Sequence, residues 1–161
     1  MESIDVVVET PRGSRNKYEM DEKSGVIRLD RRLPGSFAFP ADYGYVPDTI
    51  GSDDEPLDAL VLLVEPTFPG VRVRCRPIGL FWIRAGERRE AKLVCVPEGE
   101  PAYQDIHDLA ELAQHERDEL GNFFDIYAVF TSTATRSARD RRTPTRRPQC
   151  WPRPGSAMSR R

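Results

Sequence analysis

The sequence predicts a mainly β protein with α: a small closed barrel of five or six strands with one helix packed on its side. Three observations lead there. Short β-branched runs bounded by turn residues recur as far as Pro97, and one amphipathic stretch of helical period follows at 105–127. At 161 residues and 39% hydrophobic, the chain suits one domain with a proper core and is too short for two.

Each element has its own warrant. SIDVVVET (3–10) is β-branched and weakly alternating, and NKYEMDEKSGVIRLD (16–30) reads as two strands around a Lys-Ser-Gly turn. ALVLLVEP (59–66) is a short buried strand. In VRVRCRPIGLFWI (71–83), Val71, Val73 and Cys75 alternate with Arg72, Arg74 and Arg76, and EAKLVCVP (90–97) adds a further strand. In DIHDLAELAQHERDELGNFFDIY (105–127), Leu109, Leu112, Leu120, Phe123, Phe124 and Tyr127 recur at three- and four-residue steps opposite an acidic face, with Gly121 a local weakness.

Composition narrows the function. The longest apolar run, Ala59 to Val64, is too short to span a bilayer, so no membrane segment is expected. Acids at Glu2 and Asp5 stand where a secretion signal carries positive charge, which points to the cytoplasm. Cys75, Cys95 and Cys150 form no Cys-x-x-Cys pair and are expected as free thiols, the first two buried; His107 and His115 lack the spacing of a zinc site.

Charge divides the chain in two. Residues 1–130 hold 15 Lys+Arg against 25 Asp+Glu, a net −10, whereas 131–161 hold nine arginines and Asp140, a net +8, with four prolines. A barrel domain over 1–130 and an Arg/Pro-rich, disordered tail over 131–161 are therefore expected. The tail can be read as a nucleic-acid-binding arm, as an extension without a partner, or as the product of a frameshift in a GC-rich gene; the second reading is favoured.

The segment GSDDEPLDALVLLVEP (51–66) crowds Asp53, Asp54, Glu55 and Asp58 at the mouth of a buried strand, where like charges repel. A calcium loop of the EF-hand type fails, because its sixth and twelfth positions would be Asp58 and Val64. A solvated acidic turn is the plain alternative. Cations accompany the acids, however: Lys17 shares a strand face with Glu19, Arg31 closes its strand, Glu90 and Lys92 lie two apart, and Tyr127 ends the helix. Carboxylates suit a hard cation such as magnesium, and lysine and arginine suit phosphate. Together they are the ingredients for attack by metal-activated water at phosphorus.

At this point the chain resembles the soluble family I inorganic pyrophosphatases. The resemblance covers about residues 4–127 and rests on VET-P (8–11), NKYE (16–19), DR (30–31), FPADYGYVPDT (39–49), DDEPLDALVLL (53–63), RPIG (76–79), AKLVCVP (91–97) and FFDIY (123–127). It implies a five-stranded barrel of the OB type with flanking helices. It further implies a cytoplasmic enzyme that splits pyrophosphate into two phosphates, several magnesium ions with manganese or zinc as substitutes, and a homohexamer. By motif position it implies Glu9, Asp53, Asp58 and Glu90 as metal ligands, Glu19 as an outer carboxylate and Glu55 as general base. Lys17, Arg31, Tyr43, Lys92 and Tyr127 are implied as phosphate-side groups.

The chain also departs from that pattern. Glu55 and Glu90 stand where aspartate is usual, Ala85 where a metal-binding aspartate is usual (with Glu87 nearby), Phe39 where a tyrosine is usual and Ala128 where a lysine is usual. The family's closing helix is expected to be missing, replaced by the arginine tail. A weakened or inactive relative is thus the first alternative. A nucleic-acid-binding barrel acting through the tail is the second, disfavoured because the barrel segment itself is acidic.

Overall fold

In the computed structural model, which describes residues 2–51, 54–85 and 88–140, the order of elements is β1 (Ile4–Thr10), β2 (Asn16–Asp21), β3 (Val26–Arg32), β4 (Asp42–Val46), β5 (Leu57–Val61), β6 (Arg72–Ala85), β7 (Arg88–Pro97) and one long helix, α1 (Gln114–Asp140). The strands β1-β4-β5-β7-β6 close into a five-stranded barrel, as expected. Closure is made by β1 on β6, from Ile4↔Cys75 to Val7↔Arg72. All barrel pairs are antiparallel except β5 with β7, which run parallel from Ala59↔Leu93 to Val61↔Cys95.

Several features differ from the sequence expectation. The short strand β4 was not foreseen, because all five of its residues are buried and it therefore shows no alternation. Its Gly44 is there for space: a Cβ would sit 1.9 Å from the Val7 carbonyl oxygen, so any side chain would push β1 away. The buried strand expected at 59–66 begins earlier and ends sooner, at Leu57–Val61.

β2 and β3 form a separate two-stranded sheet rather than part of the barrel. Side chains of β1 attach it. The Thr10 hydroxyl accepts from Tyr18 N at 2.9 Å and faces the Tyr18 carbonyl at 3.3 Å, while Glu9 Oε1 accepts from Met20 N at 2.7 Å. Nearby, the fully buried Asp42 carboxylate is satisfied by Arg12 N (2.8 Å), Thr67 N (2.9 Å) and Thr67 Oγ1 (2.5 Å), which ties two loops to the barrel.

The helix is also corrected. Leu109 lies in a short 3-10 turn, Leu109–Glu111, opened by a capping box between Asp108 and Glu111, and α1 starts only at Gln114. Leu112, Leu120, Phe123, Phe124 and Tyr127 are buried against the barrel, as their spacing predicts. α1 then runs to Asp140, into the stretch from 131 expected to be disordered. That stretch holds no proline before Pro144, and extending a helix already anchored at its start adds one backbone hydrogen bond for each residue ordered. Residues 141–161, including Cys150, lie outside the described residues.

Cys75 and Cys95 are buried free thiols within the barrel's second apolar cluster; burial pushes Cys75 up to about 12 and Cys95 higher still, so both are inert. Among the described residues no helix is long and apolar enough to cross a membrane.

Candidate active site

The sequence places charged residues two apart on strands that turn their faces to one end of the barrel, and the fold gathers them there. A cleft of about 420 Å³ is lined by Glu9 of β1, Lys17 and Glu19 of β2, Arg31 of β3, Tyr43 of β4, Glu55 of the β4–β5 loop, Asp58 of β5, Glu90 and Lys92 of β7, and Tyr127 of α1. Every expected site residue but one is therefore in one cavity. The exception, Asp53, lies outside the described residues, as does Glu87.

The cations are held by acids. Lys92, with a side chain only 5% exposed, pairs with Asp58 Oδ2 and lies 3.0 Å from Glu90 Oε2. Burial works against its charge, but Asp58 and Glu90 outweigh burial and raise its pKa above the ordinary lysine value. Lys17 pairs with Glu19 and lies 3.4 Å from Asp30 Oδ2. Its pKa is also raised, with burial opposing and Tyr127, Glu19 and Asp30 prevailing.

Lys17 and Arg31 are directly opposite across β2 and β3, next to a register shift between Lys17 and Tyr18. Two like charges so placed repel. Asp30 relieves this, since its Oδ2 also lies 3.3 Å from Arg31 Nε. The Arg31 guanidinium stands 5.9 Å from the Tyr127 ring centroid and makes a long 3.5 Å contact to its hydroxyl.

Burial dominates at Glu9 and Tyr43. Glu9 is 8% exposed, and burial pushes its carboxyl up to about 7, ahead of the opposing effects of the Met20 N–H and Lys17. Tyr43 is held well above the ordinary phenol range by burial first, then by the Asp58 charge and a hydrogen bond to that carboxylate. In the acidic loop, Asp54 adopts φ +67°, a left-handed conformation, and Gly51 N donates to the Glu55 carbonyl at 2.7 Å to close the loop. Thr49 fastens its base, donating to Val46 O (2.6 Å) and accepting from Leu57 N (2.9 Å).

Phe39, where a hydroxyl was expected, does not line the cleft. It is 2% exposed and packs its ring 5.4 Å from Tyr43, 5.0 Å from Phe123 and 6.1 Å from Tyr127, so it supports two tyrosines that do. Ala128 follows Tyr127 on α1, and Ala85 ends β6. Sequence reasoning missed Met20, Glu22, Tyr45 and Pro56 in the lining, and Asp30 as the anchor of both cations. Asp30 and Tyr45 stand inside quoted motifs; that was the available signal.

The model of the inorganic pyrophosphatase family matches residues 6–145. The chain belongs to that family. It is 50% identical over 124 residues to the inorganic pyrophosphatase of Streptomyces coelicolor, covering 77% of this chain and 76% of that one. It is 44% identical over 122 residues to the Methanosarcina acetivorans inorganic pyrophosphatase, covering 76% and 73%. The solved inorganic pyrophosphatase of Thermus thermophilus superposes with a TM-score of 0.78 at 37% identity, covering 83% of this chain and 77% of that one. That from Helicobacter pylori does so with 0.76 at 36%, covering 78% and 75%.

Proposed function

We infer that the protein is a hydrolase that splits inorganic pyrophosphate into two phosphates. The carrying observation is that Glu9, Glu55, Asp58 and Glu90 share one cleft with Lys17, Arg31 and Lys92. A diphosphate brings several negative charges, and three cations on β2, β3 and β7 can hold both of its ends. The family is metal-dependent in general. Glu9, Glu55, Asp58 and Glu90 offer carboxylate oxygens to this cleft, which suit a hard divalent ion, and the burial of Glu9 favours a cation beside it. Among the described residues no three acids, histidines or cysteines are gathered as a ready ligand set, and Lys92 sits between Asp58 and Glu90 as their cation.

We assign Glu9, Asp58 and Glu90 as the side chains that would hold magnesium, with Asp53 a candidate from its sequence position alone and manganese or zinc as substitutes. Glu19 stands outside them as a second line of charge. The metal, when bound, supplies acidification of the attacking water and neutralisation of phosphoryl charge. Glu55 would accept the proton of the attacking water as the water oxygen bonds to phosphorus and the bridging P–O bond breaks. Lys17, Arg31, Lys92, Tyr43 and Tyr127 steady the phosphates and the charge that the breaking bridge leaves on the departing one. Cytoplasmic location and assembly as a homohexamer are proposed from the family resemblance; the net −10 of residues 1–130 argues against a nucleic-acid partner.

A slowed or silent member of the family is the second reading. Glutamate at 55 and 90 favours it, because an added methylene displaces a carboxylate by about 1 Å, a shift that can cost on the order of a hundredfold in rate. The deciding experiment is phosphate release from pyrophosphate with magnesium. Turnover well above that of Arg31→Ala is expected, and turnover equal to it defeats the enzymatic reading.

A further inference from the structure

Beside the phosphate cleft lies a smaller recess of about 170 Å³, part of whose wall has no expected role. It shares Pro56, Asp58, Glu90 and Lys92 with the cleft, and its own wall is made by Ile50, Leu57, Trp82 and Ala91. Trp82 is 56% exposed, which is uncommon for so large an apolar ring, and the exposed Arg89 carries its guanidinium 5.3 Å from the ring centroid.

The strand register explains how one recess reaches both. Trp82 pairs with Ala91, while Ile83 and Phe81 pair with Glu90 and Lys92, so the ring lies on one face of the β6–β7 ribbon and the charged pair on the other. The pairing of β7 with β5 begins only at Leu93, opposite Ala59. Before that point Ala91 and Lys92 line the recess together with Ile50 and Pro56, so that it meets residues of both faces. Its occupant must therefore join a planar group on the Trp82 side to an anionic group on the Lys92 side through a short spacer.

We propose that the recess binds the base of a nucleoside diphosphate or triphosphate whose phosphates enter the cleft, with the base stacked on Trp82. The sugar supplies the spacer. Aromatic stacking accepts any base, since each has a π face, and Lys92 at the shared wall supplies a cation for the phosphates. This rests on the phosphate reading of the cleft and extends it from a bare diphosphate to one that carries a base.

The test is calorimetric titration of the full chain, with magnesium, using two probes that cannot be cleaved at the bridge: methylenediphosphonate and α,β-methylene-ADP. Trp82→Ala is expected to weaken the nucleotide about tenfold or more and to leave the diphosphonate within about twofold, with Trp82→Phe restoring most of the loss. Equal affinity of wild type and Trp82→Ala for the nucleotide overturns the proposal, as does a parallel loss for both probes, which would mark Trp82 as a structural support. Diphosphonate binding without nucleotide binding overturns the nucleotide site alone. Binding of neither probe overturns it together with the phosphate reading on which it rests.

Discussion

Replacing Lys92 with methionine separates the charge argument from every other feature of the cleft. Methionine keeps an unbranched side chain of similar length and removes only the ammonium. In the folded protein that group is 5% exposed and serves two acids, Asp58 and Glu90, whose side chains are 26% and 22% exposed. Removing one partner from a fully buried ion pair costs about 3–5 kcal/mol, and an exposed pair under 1. Acids that retain about a quarter of their exposure fall between, so a loss of about 2 kcal/mol is expected near pH 8. For a domain of this size that lowers Tm by roughly 4–8 °C.

The informative part is the response to magnesium. Among the described residues Lys92 is the cation paired with Asp58 and Glu90, so in its absence a divalent ion can take that place without displacing it. Thermal melts with and without magnesium are therefore expected to show a larger stabilisation in Lys92→Met than in wild type, reaching about 2.7 kcal/mol where the ion stands at a hundred times its Kd. Turnover should nevertheless fall, since a phosphate-side cation is gone. Should Lys92→Met melt like wild type, or gain no more from magnesium than wild type does, the idea that these acids are arranged for a cation is wrong.

Three further perturbations probe other levels. Glu9 has a folded pKa of about 7 against an ordinary 4.5, so between those values the folded state keeps a proton that the unfolded state has lost. Stability without metal should fall as pH rises through that window, by at most about 3 kcal/mol, and Glu9→Gln should remove the slope in urea titrations at pH 5 and pH 8. Glu55→Gln should lower kcat by about a hundredfold or more and leave KM nearly unchanged, as read from steady-state phosphate release, because it removes proton acceptance and keeps shape. Gly44→Ala should yield little folded protein by circular dichroism, since a Cβ 1.9 Å from Val7 O forces β1 and β4 apart.

How much was legible in the sequence differs by residue. The helix face from Leu120 to Tyr127 and the start of β6 announce themselves by period, whereas β1, β5 and β7 are legible as β-branched or continuous apolar runs, since Val6–Val8, Ala59–Val61 and Val94–Val96 are buried without alternation. β4 shows neither sign, since burial on both sides erases the period and Gly44 lowers its strand propensity. Nor could the sequence tell that β2 and β3 stand apart from the barrel: a strand reads the same whichever sheet receives it, and here the choice is made by Thr10 and Glu9 reaching across from β1. In the site, Glu90 and Lys92 were legible as a pair because strand spacing fixes their shared face. Asp30 was not, because its service to both Lys17 and Arg31 depends on the register shift after Lys17.

That register shift also explains why the cleft is balanced as it is. Lys17 and Arg31 are brought opposite each other and are kept from repelling by Asp30, while Lys92 is embedded between Asp58 and Glu90. Each cation needed for a phosphate is thus already engaged with a carboxylate. A diphosphate arriving alone would draw the cations toward itself and leave buried acids uncompensated, whereas a divalent ion arriving alone must compete with Lys92 for the same oxygens. Arriving together, each relieves the charge that the other exposes: the ion takes the carboxylates and the phosphates take the ammonium and guanidinium groups. Asp58 and Glu90 can therefore stand beside Glu9 and Glu55 in a stable fold, because their repulsion is offset partly by Lys92 and the remainder is left for the ligands to remove.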